Sequence, residues 1–379
     1  MKGNVIVGQS GGPTAVINSS LAGVYRTAVD RGAKKVYGML YGIQGLLDEQ
    51  YVDLSKFIRS DLDVEILNKL NIECFIYIGG NDSMDTIKKL SDYAILTGQS
   101  QKFVGVPKTI DNDLALTDHT PGYGSAAKYI ATSTKEVIRD GLGFSYKKQQ
   151  VIIIEIMGRN AGWLTGAAAL SRGEDCDGPD LIYLPELTFD IEKFTAKVRK
   201  LLTRKDVVVV AVSEGIRIQD GRYVSELGSA SDYVDAFGHK QLTGTASYLA
   251  NVIHRDIGCK TRAVEFSTLQ RSAAHLASRV DVNEAFMVGG AAVKAADEGD
   301  SGKMVVIDRV SDDPYQCATG IYDVHKIANG EKMVPREWIT KDGTYVTEEF
   351  IDYVRPLIQG DSPSVMVDGI PRHLYMGKR

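Results

Sequence analysis

Cysteine is scarce in this chain, and so are the patterns that would give it a task. Cys74, Cys176, Cys259 and Cys317 are the only four in 379 residues. No two stand in C-x-x-C spacing, and none lies near histidines in a zinc-ligand pattern, so a disulfide framework and a zinc site are excluded. No run approaches the ~18 apolar residues of a membrane span. The opening Met1-Lys-Gly-Asn-Val-Ile-Val-Gly lacks the apolar stretch of a signal peptide. A reducing cytoplasm is the expected compartment, with no membrane partner. Blocks of like charge are absent too, and the net charge is −5, which argues against a nucleic-acid binder working through a basic face. There is no low-complexity tract, no fixed-period repeat and no Walker A string.

What is present is ordinary for a soluble globular protein: 44% hydrophobic and 25% charged residues, in a chain long enough for two or more domains. Apolar runs of strand length alternate with segments of helical period. Asn4–Gly8 is followed by Gln9-Ser-Gly-Gly-Pro-Thr14 and a helix to about Arg31, with Ile17, Leu21, Val24 and Ala28 on its buried face. Lys35–Leu40 is a further strand. Tyr51–Leu70 is charged and predicts a helix. Cys74–Ile78 and Lys102–Val106 read as buried parallel strands, joined by a helix over Ser83–Leu96. A second array begins at Val151–Ile156, interrupted only by Glu155. It continues through Leu181–Leu184, a helix over Ile191–Leu202, Val207–Val212, a helix over Thr243–Ile257 and Thr261–Phe266. Val282–Asp297 predicts a helix and Met304–Asp308 a strand. The packing of Tyr322–Arg379 does not follow from its pattern.

In open α/β sheets, ligands bind outside the carboxyl ends of the strands. The strand ends here carry polar clusters: Ser10-Gly-Gly, Gly79-Gly-Asn-Asp-Ser, Pro107-Lys-Thr-Ile-Asp-Asn-Asp, Met157-Gly-Arg, Ser213-Glu-Gly and Leu269-Gln-Arg. Glycines there let backbone N–H groups approach an anion, and a helix start adds positive potential. Gly11-Gly12 alone reads equally as a tight βα turn. Gly122-Tyr-Gly-Ser-Ala-Ala127 matches the loose G-x-G-x-x-A pattern, but a loop precedes it rather than a strand, so it is not a dinucleotide fingerprint.

These six motifs, in order and over most of the chain, resemble the 6-phosphofructokinase family, and Gly79-Gly-Asn-Asp with Pro107-Lys-Thr-Ile-Asp resembles its pyrophosphate-dependent branch. The resemblance implies two doubly wound Rossmann-like α/β domains with the active site in the cleft between them. It sets a phosphoryl-donor domain over 1–126 plus about 271–320, a sugar-phosphate domain over 127–270 and a C-terminal extension over 321–379. The implied substrates are fructose 6-phosphate and pyrophosphate, with Mg²⁺, in a homodimer or homotetramer. Asp111 is the implied general base for the sugar 1-hydroxyl; an Asp of ordinary pKa, near ~3.9, is ionised at neutral pH. Thr109 and the backbone around Ile110 are implied to cradle substrate, and Asp113 to sit near the metal or orient the loop. Met157, Gly158 and Arg159 are implied to meet the sugar phosphate and transferring group. Glu214 is implied to bind sugar hydroxyls, while Arg262 and Arg271 clamp the 6-phosphate through their guanidinium forks, one of them from a neighbouring subunit. Gly11, Gly12 and Lys108 are the implied pyrophosphate contacts.

The donor turns on Asp82 and Lys108. ATP users typically have glycine at the Asp82 position, where the nucleotide's α-phosphate lies. Two unit charges ~4 Å apart at an effective dielectric near ~20 repel by about 4 kcal/mol, roughly a thousandfold in affinity. Lys108 can neutralise charge on the transferred phosphoryl. The sequence departs from the family pattern in places. Asn81 stands where many relatives carry a magnesium-binding Asp, so its carbonyl oxygen is the expected metal contact. Ser267-Thr268 replaces Gly-His, with Thr268 at a substrate position, and Gln150 replaces an arginine. The glycine-rich loop expected between Asp53 and Asp61 is absent. The expected activity is therefore reversible, pyrophosphate-dependent phosphorylation of fructose 6-phosphate. An ATP-dependent phosphofructokinase and a catalytically silent phosphate-binding homologue are the alternatives.

Overall fold

The computed structural model describes residues 1–54, 72–143, 148–228, 244–327 and 330–371. Among them the strands are β1 (Asn4–Gln9), β2 (Val36–Met39), β3 (Tyr51–Asp53), β4 (Ile72–Gly79), β5 (Lys102–Pro107), β6 (Gln150–Ile156), β7 (Leu181–Tyr183), β8 (Val207–Ser213), β9 (Lys260–Glu265), β10 (Lys303–Asp312) and β11 (Tyr315–Asp323). A short hairpin, Met366–Val367 with Ile370–Pro371, follows. The helices are α1 (Ile17–Asp30), α2 (Gly42–Leu47), α3 (Asn81–Leu96), α4 (Tyr123–Gly143), α5 (Trp163–Gly166), α6 (Ile191–Leu202), α7 (Thr245–Ile257), α8 (Leu269–Ser272), α9 (Arg279–Asp297) and α10 (Glu348–Val354).

The chain forms two compact units. The first comprises Met1–Ser125, Ala274–Glu331 and Gln359–Arg379; the second comprises Ala126–Ala273 and Lys332–Ile358. The stretch 321–379, expected as one extension, is thus divided between them.

The first unit holds a sheet of order β11-β10-β5-β4-β1-β2-β3. Successive residues of a strand face opposite sides. On β4, Cys74, Ile76 and Ile78 join Val24 and Ala28 of α1 and Val288 and Ala292 of α9. Phe75 and Tyr77 join Met84 and Ile87 of α3 on the other side. Both faces are covered, which explains why the parallel strands read as unbroken apolar runs. The charged stretch from Tyr51 does not begin as a helix: Tyr51–Asp53 pairs antiparallel with β2. Three residues are too few to display a period of two. The loop region between Asp53 and Asp61 lies largely outside the described residues. β11 was not anticipated either; it runs antiparallel to β10 and is largely half-buried, so apolar patterning is weak there.

The second unit holds a parallel sheet of order β7-β8-β6-β9. Val151, Ile153, Val208 and Val210 pack against Phe194 and Val198 of α6 and Leu249 and Ile253 of α7. Residues 332–358 belong to this unit through an aromatic cluster: the Trp163 ring lies 6.0 Å from Trp338, 5.9 Å from Phe350 and 5.3 Å from Tyr353.

Candidate active site

In the first unit, parallel register brings three strand ends level. Gln9 pairs with Ile78, and Gly79 with Pro107. The loops after β1, β4 and β5 therefore leave the sheet side by side, each opening with a polar cluster. Gly79 is required where it stands, because a Cβ would lie 1.9 Å from Ser83 Oγ in the first turn of α3. Gly80 caps α3 without any side-chain hydrogen bond, and Asp82 lies exposed in the first turn. The carboxylate thus sits at the positive end of a helix dipole, in the position an external anion would otherwise favour.

Lys108 is only 5% exposed. Its ammonium donates to the carbonyl oxygens of Ser10 at 3.0 Å and Gly12 at 2.7 Å. Gly11, Gly12 and Lys108 are therefore brought together, and the cation lies among backbone groups rather than on a solvated loop. Thr109 Oγ1 accepts from the Asp111 N–H at 3.1 Å and donates to Asp111 Oδ2 at 3.3 Å. Ile110 is buried, and Asn112 beside it is fully buried with φ of +56°. The Asp111 carboxylate is consequently held on a short, locally crosslinked turn.

Two oxygens near this cluster are buried without a hydrogen-bond partner: Asn81 Oδ1 and Thr14 Oγ1. Asn81 was anticipated as a metal contact. Thr14 was not, and a threonine after a glycine pair carries no signal by itself. Among the described residues no three His, Cys, Asp or Glu side chains converge as a metal cage. A lone buried carbonyl oxygen suits Mg²⁺, which is commonly held by substrate phosphates and water with few protein ligands.

In the second unit, the ends of β6, β8 and β9 interlock. Gly158 N–H points to Glu214 Oε1 at 3.4 Å, and Met157 N–H donates to Gln270 Oε1 at 3.3 Å. A Cβ on Gly215 would lie 1.9 Å from Arg159 O, so that glycine lets the two loops touch. Met157, Gly158, Arg159 and Glu214 are thus one cluster. Gln270, 2% exposed, is its unforeseen member, although it stood inside the Leu269-Gln-Arg motif. Thr268 is exposed and Arg271 half-buried at the start of α8. Arg262 is placed elsewhere. It pairs with Ile152 in mid-strand, roughly 16 Å of extended chain before Met157, and its guanidinium meets Asp140 at 2.8 Å on the open edge of the sheet.

Glu155, the one interruption in β6, accepts from Ala246 N–H at 2.8 Å at the start of α7. Burial pushes its pKa up to about 7, against the backbone hydrogen bonds that pull it down. Glu186, after β7, accepts from Gly162 and Val334 N–H groups at 2.8 and 2.9 Å, and burial raises its pKa as well. Gly122 and Ser125 N–H groups, at the start of α4, are taken by Asp281 at 2.9 and 2.8 Å. That internal carboxylate occupies the amides a dinucleotide would need.

Parallel α/β sheets with polar, glycine-bearing loops at their strand ends are the architecture of a phosphotransferase class, and the chain belongs to the phosphofructokinase family, whose profile matches residues 59–296. Two similar proteins bear the name pyrophosphate–fructose 6-phosphate 1-phosphotransferase. One, from Xanthomonas campestris pv. campestris, is 41% identical over 99% of this chain and 96% of its own length. The other, from Halomonas elongata, is 37% identical over the same shares, 99% and 96%. The crystal structure of a pyrophosphate-dependent phosphofructokinase from Nitrosospira multiformis superposes with a TM-score of 0.86. It is 34% identical and covers 98% of this chain and 95% of that one.

Proposed function

We propose that this enzyme transfers a phosphoryl group between pyrophosphate and the 1-hydroxyl of fructose 6-phosphate, giving fructose 1,6-bisphosphate and phosphate reversibly. The observation that carries the choice of donor is the buried Lys108 ammonium, bound to the Ser10 and Gly12 carbonyls, in a unit that also sets the Asp82 carboxylate at the start of α3. A cation fixed among phosphate-sized loops supports binding of a compact, highly charged donor. The carboxylate disfavours the α-phosphate of a nucleotide.

The reaction is an in-line displacement, and phosphoryl transfer depends mainly on positioning and charge stabilisation. Asp111 accepts the proton of the 1-hydroxyl as its oxygen attacks phosphorus. The new O–P bond forms while the bond to the bridging oxygen breaks, and the leaving phosphate carries away that electron pair. Lys108 and the N–H groups around Gly11 and Gly12 stabilise the charge that moves to it. By the family pattern Arg159 would serve the transferring group, Met157, Gly158 and Glu214 the sugar, and Arg271 the 6-phosphate. Asn81 Oδ1 is the protein oxygen that would hold Mg²⁺. The ion supplies charge neutralisation on the phosphate oxygens when bound.

Arg262, exposed in mid-strand on the edge of its sheet, suits a contact to the 6-phosphate of a neighbouring subunit, which supports a homo-oligomer. Four unpaired cysteines suit a reducing cytoplasm. Among the described residues no helix is long and apolar enough to cross a membrane. Coupled assays with fructose 6-phosphate, Mg²⁺ and either pyrophosphate or ATP test the donor. Pyrophosphate should exceed ATP in kcat/KM by two orders of magnitude or more; equal efficiency would overturn the reading.

A further inference from the structure

The segment from Pro107 to Gly122 joins β5 to α4 and carries Asp111. Its far end is anchored by a buried charge cluster. His119 is 1% exposed, with Nδ1 2.7 Å from Asp118 Oδ2 and Nε2 2.7 Å from Glu284 Oε2 on α9. A neutral imidazole has one N–H and satisfies one of these carboxylates; the imidazolium satisfies both. Burial alone would lower the pKa of this ring, but the hydrogen bonds to Asp118 and Glu284 outweigh it and raise the value above the ordinary one.

The outer partners complete the cluster. The Arg309 guanidinium meets Asp118 at 3.1 Å. Tyr315 hydroxyl donates to Glu284 Oε1 at 2.6 Å, and Cys317 Sγ lies 3.1 Å from the same oxygen. Asp281, one turn earlier on α9, holds Gly122 and Ser125. Thr117 Oγ1 donates to His119 O at 2.8 Å and accepts from Ile307 N–H at 2.9 Å. From this anchored end, Thr120 Oγ1 donates to Thr109 O at 2.8 Å, and Thr109 Oγ1 in turn holds Asp111.

We propose that His119 is a positioning residue for Asp111: clamped between Asp118 and Glu284, it fixes Thr120, whose hydroxyl sets Thr109 and thereby aims the carboxylate. This rests on Asp111 being the base. The competing account is a buried ion cluster that only stabilises the first unit. The two differ in what they do to the surviving folded enzyme. A misplacement of about 1 Å can lower a rate on the order of 10²-fold without weakening substrate binding.

The test uses the full chain. Thr120→Val removes the relay hydroxyl while keeping shape, and Thr120→Ser keeps the hydroxyl. The valine variant should lose about 10- to 100-fold in kcat with KM for both substrates within about twofold, and the serine variant should recover most of the rate. His119→Gln should reproduce the valine pattern. Wild-type kcat in Thr120→Val, or parallel changes in kcat and KM, would overturn the relay. If His119→Gln does not fold, nitrogen NMR of the wild-type imidazole decides its state: both ring nitrogens protonated at neutral pH supports the clamp, and a neutral ring overturns it. A wild-type chain inactive with pyrophosphate removes the functional reading itself, a result distinct from an active wild type with an indifferent Thr120→Val.

Discussion

The ammonium of Lys108 stands 2.7 Å from the carbonyl oxygen of Gly12, so one side chain ties the loop after β5 to the loop after β1. Lys108→Met should therefore act twice. It removes charge stabilisation, lowering kcat with pyrophosphate by about 10²- to 10³-fold, and it loosens the glycine loop, raising KM for pyrophosphate. Steady-state kinetics with pyrophosphate as the varied substrate check both; a kcat within threefold of wild type would show that the cation serves only the loop.

Asp82 carries the opposite expectation. Its carboxylate is exposed at the start of α3. Asp82→Gly should raise kcat/KM for ATP relative to pyrophosphate by up to about a thousandfold, the size of one like-charge contact in a partly screened site. The ratio of the two efficiencies is the readout, and an unchanged ratio refutes the exclusion argument.

Asp111→Asn keeps the size of the side chain and removes the base. The turnover should fall by about 10²- to 10⁴-fold, while calorimetric affinity for fructose 6-phosphate stays within about twofold. A silent phosphate-binding protein would have no turnover to lose.

Glu155 makes stability depend on pH. Its folded pKa, about 7, lies above the ordinary value of 4.5. Between these values the native state binds the proton more tightly than the unfolded chain, so stability falls as pH rises through this window and then levels off. The span corresponds to roughly 3 kcal/mol. Glu155→Gln should flatten the denaturation midpoint between pH 5 and 7, as followed by urea titration; an undiminished slope would place the dependence on another group. Asp281, pushed up to about 6 by burial, contributes with the same sign at lower pH.

Phe350 is fully buried, with its ring stacked against Trp163. Phe350→Ala should destabilise the second unit by about 3–5 kcal/mol, seen in its unfolding midpoint. A loss below about 1 kcal/mol would mean that residues 332–358 are an appendage rather than part of that core.

The strand ends were legible because apolar runs stop abruptly at glycine and aspartate, and parallel register puts the stops of each sheet on one rim of that sheet. What register does to distant residues was not legible. The Lys108 to Gly12 contact depends on β1 and β5 lying on either side of β4, which no local pattern states. Gln270 and Glu155 were visible as a motif member and as an interruption, yet their partners, Met157 and Ala246, are supplied only by folding. Arg262 stood within the expected strand Thr261–Phe266, but its place beside Ile152 follows only from pairing. β3 and β11 escaped because a three-residue strand and a half-buried ribbon both lack a hydrophobic stripe.

The flank of β5 is completed by β10, and Val104 and Val106 are covered by Val288 and Val293 of α9. Both covering elements come after Ala126–Ala273, the longer segment of the second unit, in the chain. A polypeptide terminated anywhere between 126 and 278 thus carries a naked valine face and an open hydrogen-bonding margin on its first sheet. Such fragments belong in the insoluble fraction, and translation must pass residue 312 before the amino-terminal third of the molecule can close.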